Sequence, residues 1–204
     1  AAAYALVAYH TAWLKAHHPA EFFAASMSYD IHQTDKLCLF VDDMRRLGVT
    51  LLPPDVNRSR ADFNVEEDAN GRSVRYALGA LKGVGEKAMA DLVGEREQGG
   101  PFRSLDDFAE RIDPRLLNRR QLESLAAAGA FDGVSPDRAA VHAGAETILS
   151  HAASAADQRE SGQGGLFGGT ADVGIPPIRL PRDARWSLAE RMAAERDAFG
   201  FYFS

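Results

Sequence analysis

The run Leu81-Lys82-Gly83-Val84-Gly85-Glu86-Lys87-Ala88 carries the residue types and spacing best suited to holding an anion. Glycines on either side of one apolar residue let the chain reverse with φ > 0 and let a ligand approach the backbone, while Val84 anchors the turn in the core. A helix starting near Gly85 then presents N–H groups without intrahelical acceptors at the positive end of its dipole. Lys82 and Lys87 flank the turn, each placed to meet a phosphate through an electrostatic term blind to base sequence. Glu86 between them opposes that attraction and equally suits a helix N-terminus. Taken alone, Gly83-Val84-Gly85 fits a phosphate contact and a plain tight turn into a helix equally well. Its neighbours favour the first, because Ala80-Leu81 and Ala88-Met89 with Leu92 have the spacing a helix-hairpin-helix needs to close its small core.

Two further groups of residues carry candidate chemistry. Asn118-Arg119-Arg120-Gln121-Leu122, with Leu125, Gly129, Ala130 and Phe131 behind it, hints at a second such unit. It lacks the glycine-apolar-glycine turn, so a helix pair with a glycine stop explains it as well as a phosphate contact does. Arg119 and Arg120 are its basic pair. The second group is Gln163-Gly164-Gly165-Leu166-Phe167, a glutamine and an apolar pair inside a polar, glycine-rich stretch. Leu166 and Phe167, if seated in a partner's pockets, contribute about 1.5–3 kcal/mol each, and Gln163 fixes the register. Packing back on this chain is an equal alternative.

No catalytic or metal constellation is expected. Asp42-Asp43, Glu66-Glu67-Asp68 and Asp106-Asp107 are adjacent carboxylates, which diverge on a helix or strand. His10, His17 and His18 have no acidic or cysteine partner at metal-ligand spacing. Cys38, the single cysteine, excludes an internal disulfide and suits a reducing, cytoplasmic setting. The formal charge of −6 over 204 residues excludes DNA binding by net attraction, so any such contact is local. No apolar run is long enough for a bilayer, so no membrane partner is expected.

The elements that must position these residues are mostly helical. Residues 1–30 read as helix with Tyr4, Leu6, Val7, Tyr9, Trp13 and Leu14 on a wide apolar surface, expected to be largely buried, and the alanine-rich start reads as a cut through a helix. Thr34 is expected to cap a helix that carries Leu37, Phe40, Val41 and Met44 inward and stops at Gly48. Leu51-Leu52-Pro53-Pro54-Asp55-Val56-Asn57 is extended. Phe63 and Val65, then Val74, Tyr76 and Leu78, alternate about Asn70-Gly71 as a β-hairpin. Short helices are expected after Ser104 and Asn118, a further helical element at Asp113-Pro114, and one long alanine-rich helix from Ser135-Pro136 to about residue 158. Residues 162–177 read as a flexible linker. Ser187 with Glu190 caps a last helix, and residues 199–203 read as an exit into a strand, with the chain cut there too.

Taken together, these stretches closely resemble a known family. Ala2-Ala3-Tyr4-Ala5-Leu6-Val7-Ala8-Tyr9-His10-Thr11-Ala12-Trp13-Leu14-Lys15 and Pro19-Ala20-Glu21-Phe22 resemble the fingers of the bacterial replicative polymerases, the alpha subunits of DNA polymerase III. Leu52-Pro53-Pro54-Asp55-Val56-Asn57, Gly79-Ala80-Leu81-Lys82-Gly83-Val84-Gly85, Leu117-Asn118-Arg119-Arg120 and Gly129-Ala130-Phe131-Asp132 match in the same order. Gln163-Gly164-Gly165-Leu166-Phe167 falls where that family keeps a sliding-clamp-binding motif of the form Gln-x-x-Leu-Phe, here with glycines in the middle.

The resemblance implies a mainly α fold with a small β-hairpin: a helical fingers segment, then a tandem helix-hairpin-helix domain. The implied divisions are 1–57 (end of the fingers), 58–160 (helix-hairpin-helix, clamp-binding domain), 161–180 (linker with the clamp peptide) and 181–204 (a last helix leading to an OB domain). It implies DNA contacts at Lys82, Gly83, Val84, Gly85, Lys87, Arg119 and Arg120, and clamp contacts at Gln163, Leu166 and Phe167. It also implies double-stranded DNA, the sliding clamp (beta subunit) and other replisome subunits as partners. The DNA-directed polymerase activity and its Mg would reside in a palm outside this chain, leaving this piece inactive alone and without a cofactor. The alternatives are a scaffold module whose helix-hairpin-helix units do not touch DNA, and an error-prone polymerase paralogue.

Overall fold

The computed structural model describes residues 2–69, 71–162 and 175–203. Helices α1 (Ala2–His17), α2 (Pro19–Tyr29) and α3 (Thr34–Arg46) come first, then strands β1 (Leu51–Leu52), β2 (Asn64–Asp68) and β3 (Gly71–Arg75). A single 3-10 turn, Leu78–Ala80, precedes α4 (Glu86–Gly99), α5 (Leu105–Arg111), α6 (Arg119–Ala127), α7 (Arg138–Ala143), α8 (Ala145–Gly162) and α9 (Leu188–Phe199). The fold is mainly α with a small sheet, and one continuous apolar core runs from Ala20 to Phe201.

Several boundaries follow local chemistry already visible in the residues. The Ser104 hydroxyl accepts from Asp107 N–H at 3.1 Å and starts α5. Asn118 and Gln121 form a reciprocal capping box for α6, as do Ser187 and Glu190 for α9. The β2–β3 hairpin pairs Val65 with Val74, and the inward Val74 and Tyr76 are fully buried. Of its expected turn, Asn70 lies outside the described residues.

Outside the Gly83 hairpin, five features differ from the sequence reading. The extended Leu51-Leu52 is a third strand, parallel to β3 through Leu51↔Val74 and Leu52↔Arg75, giving the order β1-β3-β2. That pairing needs a non-local crossover, which no local pattern announces. The long alanine-rich helix is two helices, because Asp137 caps α7 and Gly144 ends it. A Cβ on Gly144 would lie 2.5 Å from Leu180 Cδ2, so the incoming 175–187 segment occupies the space a side chain would take. Asp113-Pro114 opens only a hydrogen-bonded turn, closed by Leu116 N–H on Asp113 C=O at 3.0 Å. Residues 200–203 form no strand and fold back on the core. There Tyr76 meets the rings of Phe199 at 4.7 Å, Phe63 at 5.0 Å and Phe203 at 5.8 Å.

The fifth difference is the largest. No residue of α1 is buried, and Tyr4 is 86% exposed, Tyr9 63% and Trp13 44%. Among the described elements α1 packs chiefly along α2, with Lys15 reaching Asp43 of α3, so its apolar face outruns the surface that covers it. Apolar patterning shows that a face is oily; it does not show what covers it.

Candidate nucleic-acid interface

The first candidate site is a turn built between two buried anchors. Leu81 and Val84 are both in the core, and Val84 N–H donates to Leu81 C=O at 3.2 Å. Lys82 and Gly83 at the tip are exposed, and Gly83 has φ +75. A positive φ at the third position of such a turn is the geometry that favours glycine. Gly85 then adopts an extended conformation as the N-cap of α4 and supplies no side-chain acceptor. The first N–H groups of α4 therefore lack intrahelical partners and point out at the positive end of the helix dipole. Only a single 3-10 turn stands before the hairpin, where the sequence reading has a first helix.

The N-terminus of α6 is packed against this turn. A Cβ on Gly83 would lie 3.5 Å from Arg120 Nε, and one on Gly85 would lie 3.5 Å from Gln121 Nε2. The capping box fixes this end of α6: Asn118 N–H donates to Gln121 Oε1 at 2.8 Å, and Gln121 N–H to Asn118 Oδ1 at 3.0 Å. Arg120 is thereby laid over the hairpin tip, on the turn that also carries Lys82.

The hairpin is held from both sides through its own peptide groups. Lys82 N–H donates to Ala198 C=O at 2.8 Å, at the end of α9, and Ser124 Oγ on α6 donates to Lys82 C=O at 2.9 Å. Gln121, Ser124 and Ala198 carry no sequence signal for this role. Each acts across many intervening residues, and only the capping partnership of Gln121 with Asn118 is visible locally.

The remaining candidates separate. Lys87 lies exposed in the first turn of α4. Glu86 faces His32, with Oε2 3.5 Å from Nε2. Arg119 is turned away from the hairpin: it bonds Glu123 at 2.7 Å and Glu146 at 3.1 Å. Its guanidinium pKa is raised, first by the Glu123 hydrogen bond and then by the Glu146 charge. Lys82, Lys87 and Arg120 have no such carboxylate partner among the described residues.

The carboxylates suspected of no chemistry are largely ion-paired. Asp43 pairs with Lys15, Asp107 with Arg111 at 3.4 Å, and Glu66 with Arg75 at 2.8 Å. The Arg75 hydrogen bond holds the Glu66 carboxyl below its ordinary range, against the opposing effect of burial. Among the described residues no three His, Cys, Asp or Glu side chains converge to hold a metal ion, and no helix is long and apolar enough to cross a membrane.

Gln163, Leu166 and Phe167 lie outside the described residues. The chain on either side of them is docked. Arg159 of α8 reaches Ile112 C=O at 3.5 Å, and Ile178 N–H donates to Asp106 Oδ1 at 2.7 Å.

Residues 48–141 match the family model for a helix-hairpin-helix motif. Along its full length the chain is similar to proteins called DNA polymerase III subunit alpha. It is 52% identical over 204 residues to that of Caulobacter vibrioides, 46% over 206 residues to that of Neisseria meningitidis serogroup A, and 44% over 206 residues to that of Thermus aquaticus. In these alignments 100% of the chain is covered, against 16–17% of each relative, so the chain spans about one sixth of their length.

Proposed function

We propose, from the chain's end-to-end relationship to one stretch of the DNA polymerase III alpha subunit, that it is the part of a DNA-directed DNA polymerase that grips duplex DNA by its backbone and ties the enzyme to a sliding clamp. The carrying observation is Arg120 lying against Gly83 on the turn that carries Lys82, beside the open N-terminus of α4. A phosphate oxygen set there would accept from α4 backbone N–H groups and be neutralised by two cations. None of these donors reads a base edge, so the grip would hold any sequence and let the enzyme advance. Val84 acts from inside, as the anchor of the turn. Lys87 adds charge along the path of the strand, and Arg119 contributes less because Glu123 and Glu146 already neutralise it.

On this reading residues 1–57 close the fingers, 58–160 form the grip, 161–180 carry the clamp peptide, and 181–204 lead on to the next domain. Gln163, Leu166 and Phe167 would enter the clamp, with other replisome subunits reached through the longer protein. Two weak contacts on one chain multiply through effective concentration, so neither has to be tight. The chemistry of nucleotide addition belongs to parts of the relatives that this chain does not span.

The test has two arms. Fluorescence anisotropy with two duplexes of unrelated sequence should give equal affinities that fall together as salt rises; a strong preference for one duplex, or no binding at low salt, defeats the grip. Calorimetry against the sliding clamp should show binding that Leu166→Ala with Phe167→Ala removes; a double variant that binds as well as the parent defeats the tether. The scaffold reading draws on the exposed apolar face of α1 and the paired state of Arg119, and it is what remains if the first arm fails.

A further inference from the structure

The end of α9 lies against the lysine at the hairpin tip. Ala198 C=O accepts from Lys82 N–H at 2.8 Å, and the chain then turns at Gly200, whose φ is +86. A Cβ placed on Gly200 would lie 2.5 Å from Lys82 Cε, 2.7 Å from Lys82 Nζ and 2.6 Å from Thr34 Cγ2. The lysine stem therefore crosses the bare face of a glycine, with the Thr34 methyl beside it and the carbonyl-rich end of α9 below its ammonium. Partial negative charge at a helix C-terminus favours a cation there.

We propose that Gly200 is a positioning residue for DNA backbone binding: its missing side chain seats the Lys82 stem and sets where the ammonium meets phosphate. This rests on the reading that Lys82 contacts DNA. A lysine has four rotatable bonds, and ordering them on binding costs affinity. Seating the stem before DNA arrives removes part of that cost. Any side chain at residue 200 takes the seat, and the lysine tip must move elsewhere.

The experiment is the salt dependence of duplex binding for the whole 204-residue chain carrying Gly200→Ala, Lys82→Ala, or both. Gly48→Ala serves as control, since Gly48 follows α3 with φ +71 and has nothing among the described residues within 4 Å of its Cβ position. Both glycines sit at positive φ, so both variants carry backbone strain, and melting temperatures check that both fold. If Gly200→Ala melts out, Gly200→Asn replaces it, since asparagine tolerates this backbone conformation best after glycine.

Each phosphate contact contributes about 0.9 to the slope of log affinity against log salt. Lys82→Ala should lower the slope by about 0.9, Gly200→Ala by up to the same about 0.9, and the double variant by no more than Lys82→Ala alone. Gly48→Ala should leave it unchanged. A Gly200→Ala slope equal to the parent's, while Lys82→Ala lowers it, overturns the positioning role and leaves the DNA reading standing. An equal Gly200→Ala effect with and without Lys82 also overturns it. An unchanged slope in Lys82→Ala removes the DNA reading of Lys82 and the positioning role with it.

Discussion

Arg119 and Arg120 are neighbours with the same charge, and the structure separates their expected effects on DNA binding. Arg120 lies over the Gly83 tip, whereas Arg119 is held by carboxylates at 2.7 Å and 3.1 Å. Raising salt from 50 to 200 mM is a fourfold change, so one phosphate contact contributes about a 3.5-fold loss of affinity over that range and two contribute about 12-fold. Lys82→Ala with Arg120→Ala should therefore flatten the response by about 12-fold and lower the slope by about 1.8. Arg119→Gln should move the slope far less than Arg120→Gln, because its charge is already balanced by Glu123 and Glu146. The assay is an anisotropy titration of labelled duplex at four salt concentrations, with circular dichroism to confirm that α6 stays intact. If Arg119→Gln and Arg120→Gln shift the slope equally, orientation on α6 does not decide contact and the assignment of the tip fails. If the Lys82 and Arg120 double variant keeps the parental slope, phosphate is not held at this hairpin.

Other expectations concern the frame. Glu66 accepts from Arg75 twice at 2.8 Å and from Arg58 at 2.6 Å, so Glu66→Gln should cost about 2–3 kcal/mol at pH 7 in denaturant unfolding. Its folded pKa is lowered, so this contribution is present above the unfolded value of about 4.3 and is lost as pH falls through the folded one; parent and variant should converge in acid. Tyr76 Oη is buried with no hydrogen-bond partner among the described residues, so Tyr76→Phe should raise stability by about 1 kcal/mol, and a loss would place a further partner on that oxygen. Asn118→Ala removes the cap of α6 and should cost about 1 kcal/mol, read as a melting temperature about 2–4 °C lower. Tyr4→Lys with Val7→Lys should reduce concentration-dependent association in sedimentation while the melting temperature holds, because neither residue is buried.

What the residues disclosed in advance was local. A glycine that must take positive φ at Gly83, caps at Ser104, Asn118 and Ser187, and the alternation around Val65 and Val74 each act within a few positions, so their chemistry is written where it operates. The features that escaped depend on distant partners. Leu51-Leu52 becomes a strand only because β3 lies beside it, and Gly144 breaks a helix where Leu180 arrives. Helical geometry alone says that Arg119 and Arg120 point about 100° apart; which one meets the hairpin depends on how α6 packs against the Gly83 turn. The apolar face of α1 was legible as apolar, while its exposure reflects which surfaces the chain supplies to cover it.

The bond from Lys82 N–H to Ala198 C=O has a consequence in time as well as in shape. On a ribosome adding about 5–20 residues per second, the acceptor is made roughly 6–23 s after the donor. Arg45 waits longer still for the Phe203 carbonyl, 158 positions downstream. Through that interval Lys82 and the Tyr76 ring have been made without the C-terminal segment that packs on them. The hairpin therefore reaches its final form among the last parts of the chain, and a nascent chain stalled before Ala198 would carry the glycine turn with its lysine still unseated.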